Sequence, residues 1–94
     1  MALYMIIEQF RGGDPVPVYR RFHERGRMAP PGLVYHASWV DTSLQRCFQV
    51  METEDPILLQ EWIKNWGDLV DFEVVPVMSS PDAAAAVRRA RSGV

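Results

Sequence analysis

The stretch from Gly32 to Glu52, GLVYHASWVDTSLQRCFQVME, places one histidine, one cysteine and a glutamine (His36, Cys47 and Gln49) among apolar and aromatic residues. A buried histidine beside a carboxylate has its pKa moved, and it can then take or give a proton as general base or acid. Cys47 would be a nucleophile only where a neighbouring base lowered its pKa. A single cysteine in a strand is more often a small buried hydrophobe. His36 has its own plain reading, a side chain satisfied by a cross-strand partner such as Gln49 or exposed near a sheet edge. The carboxylates of Glu8, Asp71 and Glu73 are the candidates to share a proton with His36 or to position a ligand. Against that stands solvation, or pairing with arginines of a second copy. Tyr4 could offer a phenol to an oxygen-bearing ligand, although aromatic packing on a sheet is the more usual use.

Other chemistries are excluded early. The 94 residues carry one cysteine, so neither an intrachain disulfide nor a thiolate cluster can form. His23 and His36 are the only histidines, and neither HxH nor HExxH spacing occurs. No metal or other cofactor is expected. The glycine pair Gly12-Gly13 invites a phosphate-loop reading, but GxxxxGK[ST] and GxGxxG are both absent, which leaves a turn. The run YRRFHERGR, Tyr19 to Arg27, could bind an anion, with a solvated amphipathic face as its ordinary reading. A net charge of −2 gives no electrostatic case for nucleic acid. The apolar runs are far short of the ~20 residues that span a bilayer. No signal peptide is evident at the start, and a cytoplasmic location is the expectation.

These residues need elements to hold them, and the patterning predicts those elements. Leu3–Phe10 is β-rich and apolar. Asp14-Pro15 reads as a cap followed by proline at the first helical position, opening a helix to about Arg25 that Gly26 closes. Val18, Tyr19 and Phe22 form its inward face. Leu33–Val40 and Gln45–Glu52 read as strands joined by four turn residues, Asp41 to Leu44. Asp55-Pro56 repeats the cap, and Leu58, Leu59, Trp62, Ile63 and Trp66 recur at helical spacing until Gly67. Leu69–Val77 is a fourth strand. Ser80-Pro81 opens a tail helix whose arginines, Arg88, Arg89 and Arg91, sit near its negative end.

The order β-α-β-β-α-β is the ferredoxin-like α+β arrangement, an antiparallel four-stranded sheet with two helices on one face. Residues 1–80 make one such domain and 81–94 its helical tail. The turn pairs Ala37 with Phe48 and His36 with Gln49. Assigning the more apolar set to the helices puts Tyr35, Ala37, Trp39, Phe48 and Val50 inward, with Met5, Ile7, Val70, Phe72 and Val74. The open face then holds His36, Glu8, Tyr4, Ser38, Cys47, Gln49, Asp71 and Glu73, together with Val34, Ile6, Met51 and Val75. A slip of one residue would exchange every assignment. Trp39, Trp62 and Trp66 read as core and interface.

The segments IEQFRGGDP, YRRFHERGRM, SWVDTSLQRCFQVMETEDP and WIKNWGDLVDFEVVPV resemble a small bacterial family of uncharacterised domains. That family is similar to the dimeric α/β-barrel superfamily, which includes stress-responsive barrel proteins and cofactor-free monooxygenases. The resemblance runs from about Leu3 to Ser80. It implies the ferredoxin-like fold and a homodimer formed through the sheet faces, and it supplies no catalytic motif.

Three functions follow as alternatives. One is an enzyme without metal, using His36 with Glu8 or a strand-four carboxylate in a cavity on the open sheet face. The second is a module that binds a small organic molecule in that cavity through Tyr4, Ser38, Cys47, Gln49, Asp71 and Glu73. The third is a structural or interaction dimer whose sheet faces fill each other.

Overall fold

The computed structural model describes residues 2–92. Met1 of the 1–80 domain, and Gly93 and Val94 of the 81–94 tail, lie outside the described residues. The strands are β1 (Ala2–Phe10), β2 (Val34–Val40), β3 (Arg46–Thr53) and β4 (Val70–Val77), and the helices are α1 (Val16–Arg25), α2 (Pro56–Lys64) and α3 (Ser80–Ser92). One antiparallel sheet has the order β2-β3-β1-β4. This is the expected ferredoxin-like α+β fold.

Local chemistry starts each helix. Asp55 Oδ1 accepts the N–H of Ile57 at 3.0 Å and Pro56 opens α2, as the spacing predicts. Asp14 Oδ1 accepts the N–H of Val16 at 3.0 Å, so the Asp-Pro pair works one residue earlier than the regular helix. For α3 the capping oxygen is Ser79 Oγ, which accepts from Asp82 N at 3.2 Å. Gly12 and Gly13 both have positive φ in a single 3-10 turn after β1, the turn reading rather than a phosphate loop. α2 ends at Lys64, short of the predicted Gly67, but Trp66 still tucks into the core from the following turn.

Two expectations about the sheet are corrected. Five residues rather than four join β2 to β3, so Trp39 faces Phe48, Ser38 faces Gln49 and Ala37 faces Val50. Asp41 organises this connection: its Oδ1 accepts the N–H of Gln45 (3.0 Å) and of Arg46 (3.1 Å). Those backbone donors, Gln45 first, hold its carboxyl down at about 2. A bulge between Tyr35 and Ala37 leaves His36 without a partner and resets the alternation along β2.

The second correction is which face the helices cover. Ile6, Glu8 and Phe10 of β1 and Cys47, Gln49, Met51 and Thr53 of β3 are buried beneath them, with Val70 and Phe72 of β4. Val18, Leu33, Leu59, Trp62 and Trp66 close the core from above. Trp62 meets Phe72 edge-on at 5.6 Å. The residues expected inward on β1, β2 and β3, namely Met5, Ile7, Ala37, Trp39, Phe48 and Val50, lie on the uncovered face; Trp39 is 59% exposed. Tyr35 does face the helices, because of the bulge. The β4 assignment of Val70 and Phe72 inward and Asp71 and Glu73 outward holds, while Val74 is exposed.

The molecule measures 52 × 30 × 17 Å with a radius of gyration of 15.7 Å, against about 12 Å for a compact chain of this length. α3 contributes to this elongation, since only Ala83, Ala85 and Ala86 along it are partly covered. Among the described residues no helix is long and apolar enough to cross a membrane.

Candidate functional site

A cavity of about 250 Å3 lies between the sheet and the first helix, lined by residues that include Glu8, Cys47, Gln49, Ser38, Tyr19 and Arg27. Its floor is sheet. Glu8 on β1 faces Cys47 on β3, and Gln49 lies diagonally across from Glu8 on the same face. Its roof is aromatic, with Tyr19 and Phe22 from α1 and Trp62 and Trp66 from α2 and the turn after it. Phe10 and Tyr19 meet edge-on at 6.3 Å.

The chain enters the cavity rim where α1 ends. Gly26, at φ 69, turns the backbone out of the helix while its N–H still reaches Phe22 O. Arg27 follows. Its carbonyl accepts two indole N–H groups, Trp62 Nε1 and Trp66 Nε1, each at 3.0 Å. Its guanidinium stands 3.7 Å over the Tyr35 ring and 5.2 Å from that of Phe22. Arg27 Nη1 donates to Gln49 Oε1 at 3.4 Å, and Gln49 Nε2 donates to Glu8 Oε2. Arg27, Gln49 and Glu8 thus form one hydrogen-bonded chain in the cavity wall. No buried side-chain nitrogen or oxygen among the described residues lacks a partner.

Burial raises the Glu8 carboxyl from its ordinary 4.5 to about 7, against the opposing pull of the Gln49 amide, the Arg27 charge and Cys47. A carboxyl so placed changes protonation near neutrality and can act as acid or base. The same burial works against nucleophilic chemistry at Cys47. Burial first, and the Glu8 charge next, push its thiol up to about 12, so it stays protonated and resists acting as a nucleophile. Burial likewise raises the Tyr19 phenol.

The predicted site residues divide between the two faces. Glu8, Ser38, Cys47 and Gln49 come together, but in the cavity under the helices rather than on the open face. Ser38 Oγ and Tyr35 OH are 2.8 Å apart. Tyr4 also lies on the helix side, packed against the core and outside the cavity lining. His36 stays on the open face, where its Nε2 sits 2.6 Å from Glu52 Oε1. His36 and Glu8, expected to work as a pair, are on opposite faces of the sheet within one chain. Asp71 is on the open face and pairs with Arg11 at 3.2 Å; Glu73 is exposed there too. Among the described residues no group of three or more His, Cys, Asp and Glu side chains is placed to hold a metal ion.

Arg27, Tyr19, Phe22, Trp62 and Trp66 are cavity residues that a strand-centred reading does not find. Part of the signal was present in YRRFHERGR: its helical spacing groups Tyr19 and Phe22, expected inward but half-exposed at the cavity, and Gly26 ends the helix before Arg27.

No curated protein and no solved structure matches the chain significantly. A family model does, across residues 2–91 and so across the sheet, both cavity-forming helices and nearly all of α3. The chain belongs to that family, described as Domain of unknown function (DUF3303).

Proposed function

We propose that this protein is a homodimer that binds a small organic molecule in the cavity beneath α1 and α2 and exchanges a proton with it through Glu8. The observation that carries the reading is a carboxyl only 6% exposed that nonetheless forms part of a cavity wall. Buried glutamates are rare unless paired with a charge, and Glu8 has an amide for its partner instead. Such a group is costly to a fold, which favours a use for it. Aromatic walls with a few polar groups at one side are the usual makeup of a small-molecule site. A cavity of about 250 Å3 exceeds the about 150 Å3 that accommodates benzene in an apolar protein interior.

A second reading, the non-catalytic interaction dimer, draws on the uncovered face. Met5, Ile7, Phe48, Val50 and Val75 are only partly covered there and Trp39 stands out into solvent. A second copy laid sheet on sheet would cover them with closed symmetry. This dimer is compatible with a filled or an empty cavity, so the cavity itself must be tested. Untagged protein purified from its own host should release a stoichiometric small molecule on denaturation, detected by mass spectrometry. If nothing is released and no aromatic fragment shifts the indole N–H resonances of Trp62 and Trp66, the interaction dimer is the better description.

A further inference from the structure

We infer that Arg27 is the anion-recognising group of the cavity, and that the ligand is a flat aromatic molecule bearing an acidic oxygen, a carboxylate, phenolate or enolate, set against its guanidinium. The inference rests on the cavity being a small-molecule site and adds the chemical class of its occupant.

Arg27 is unusually fixed in position. Arg27 is held at three points: the carbonyl by two buried indoles, the guanidinium plane by the Tyr35 ring, and Nη1 by Gln49. Surface arginines are rarely fixed this way, because their entropy resists it. A fixed fork is what bidentate recognition of a planar oxyanion requires.

The guanidinium also leaves most of its donors unused. Five N–H donors are available and one long hydrogen bond engages Nη1. No carboxylate lies within 4.0 Å of Arg27 among the described residues, although Arg11, Arg21 and Arg46 each have one. Its remaining donors are not sealed away without partners, since no buried nitrogen among the described residues is unsatisfied. They are therefore accessible, and Arg27 is among the residues that line the cavity.

The surroundings favour an aromatic ligand. Phe10, Tyr19, Phe22, Trp62 and Trp66 offer ring faces and edges that suit an aromatic body, while Arg27, Gln49 and Glu8 supply a linked set of charged and amide groups in the same lining. Glu8 then stands next to the place where the ligand's oxygen binds. An added negative charge there favours the protonated carboxyl, so the acid form of Glu8 would donate to an anionic ligand.

The test uses two isosteric probes on the whole protein, 2-naphthoate and its neutral amide 2-naphthamide, with binding followed by the indole N–H resonances of Trp62 and Trp66. The carboxylate should bind about tenfold or more tightly than the amide at pH 7. Arg27→Gln, which keeps the backbone carbonyl that the indoles need, should abolish that preference, and Arg27→Lys should retain part of it. Calorimetry in buffers of different ionisation enthalpy should show proton uptake with 2-naphthoate alone. Equal affinity for the two probes in the wild-type protein would overturn the role of Arg27 and leave the cavity reading standing. Binding of neither probe would remove both.

Discussion

Gln49 and Glu8 stand diagonally across two neighbouring strands, the amide of one donating to the carboxyl of the other on the face that the helices cover. An amide can hydrogen-bond a carboxyl in either protonation state, so this pair lets Glu8 change charge without breaking the fold.

That freedom has a stability consequence with a definite sign. The folded carboxyl keeps its proton to about pH 7, whereas the unfolded chain releases it near 4.5. Below 4.5 both states are protonated and Glu8 adds no pH dependence. Between 4.5 and 7 the unfolded state binds fewer protons, and stability declines as pH rises. The full loss, above pH 7, is about 3 kcal/mol. Glu8→Gln should remove this slope and be the more stable protein at pH 8, by chemical denaturation across pH 4 to 8. A wild-type protein that gains stability over that interval while the variant does not would contradict the burial of Glu8.

Cys47 should be chemically quiet in the folded state. With its thiol at about 12, the thiolate at pH 8 is reduced roughly a thousandfold relative to an ordinary cysteine. Iodoacetamide at pH 8 should leave the native protein unmodified over minutes by intact mass. In denaturant it should react completely. Rapid native alkylation would mean that the thiol has access to water and to a base.

Trp62 and Trp66 share one acceptor, the Arg27 carbonyl, and should not act independently. Replacing either by Phe leaves the other donor in place and should cost about 1–2 kcal/mol. The double variant should cost more than the sum, because only then is the carbonyl stripped of both bonds. Simple additivity in a denaturation cycle would show that the shared carbonyl does not couple them.

On the open face, Trp39→Arg should convert a dimer to monomer in sedimentation velocity at micromolar concentration, with the circular dichroism unchanged. A wild-type protein that is monomeric throughout would refute pairing through the sheet.

Element order and fold were legible because their signals are local: Asp-Pro at helix starts, glycines after helix ends, and β-rich runs between them. The choice of face was not. Assigning the more apolar set to the helices fails because the covered layer contains Glu8, Gln49, Cys47 and Thr53, while Met5, Ile7, Phe48 and Val50 remain outside. That reversal is where the covered layer departs from the rule that apolar residues go inward. The gathering of Glu8, Ser38, Cys47 and Gln49 did survive, since alternation groups them whichever way the sheet faces. The run Tyr19 to Arg27 offered an anion site, but the place of Arg27 at the cavity was not legible, because it depends on two indoles more than thirty residues away.

The two border strands of the sheet also differ from its centre in a way that bears on how copies meet. On β2 the bulge at His36 interrupts the outer row of peptide groups, and on β4 Pro76 removes a peptide N–H. An incoming strand therefore finds no continuous ladder to extend on either side. Lateral growth into a ribbon is disfavoured at both borders, which narrows the usual route from an apolar face to fibrils.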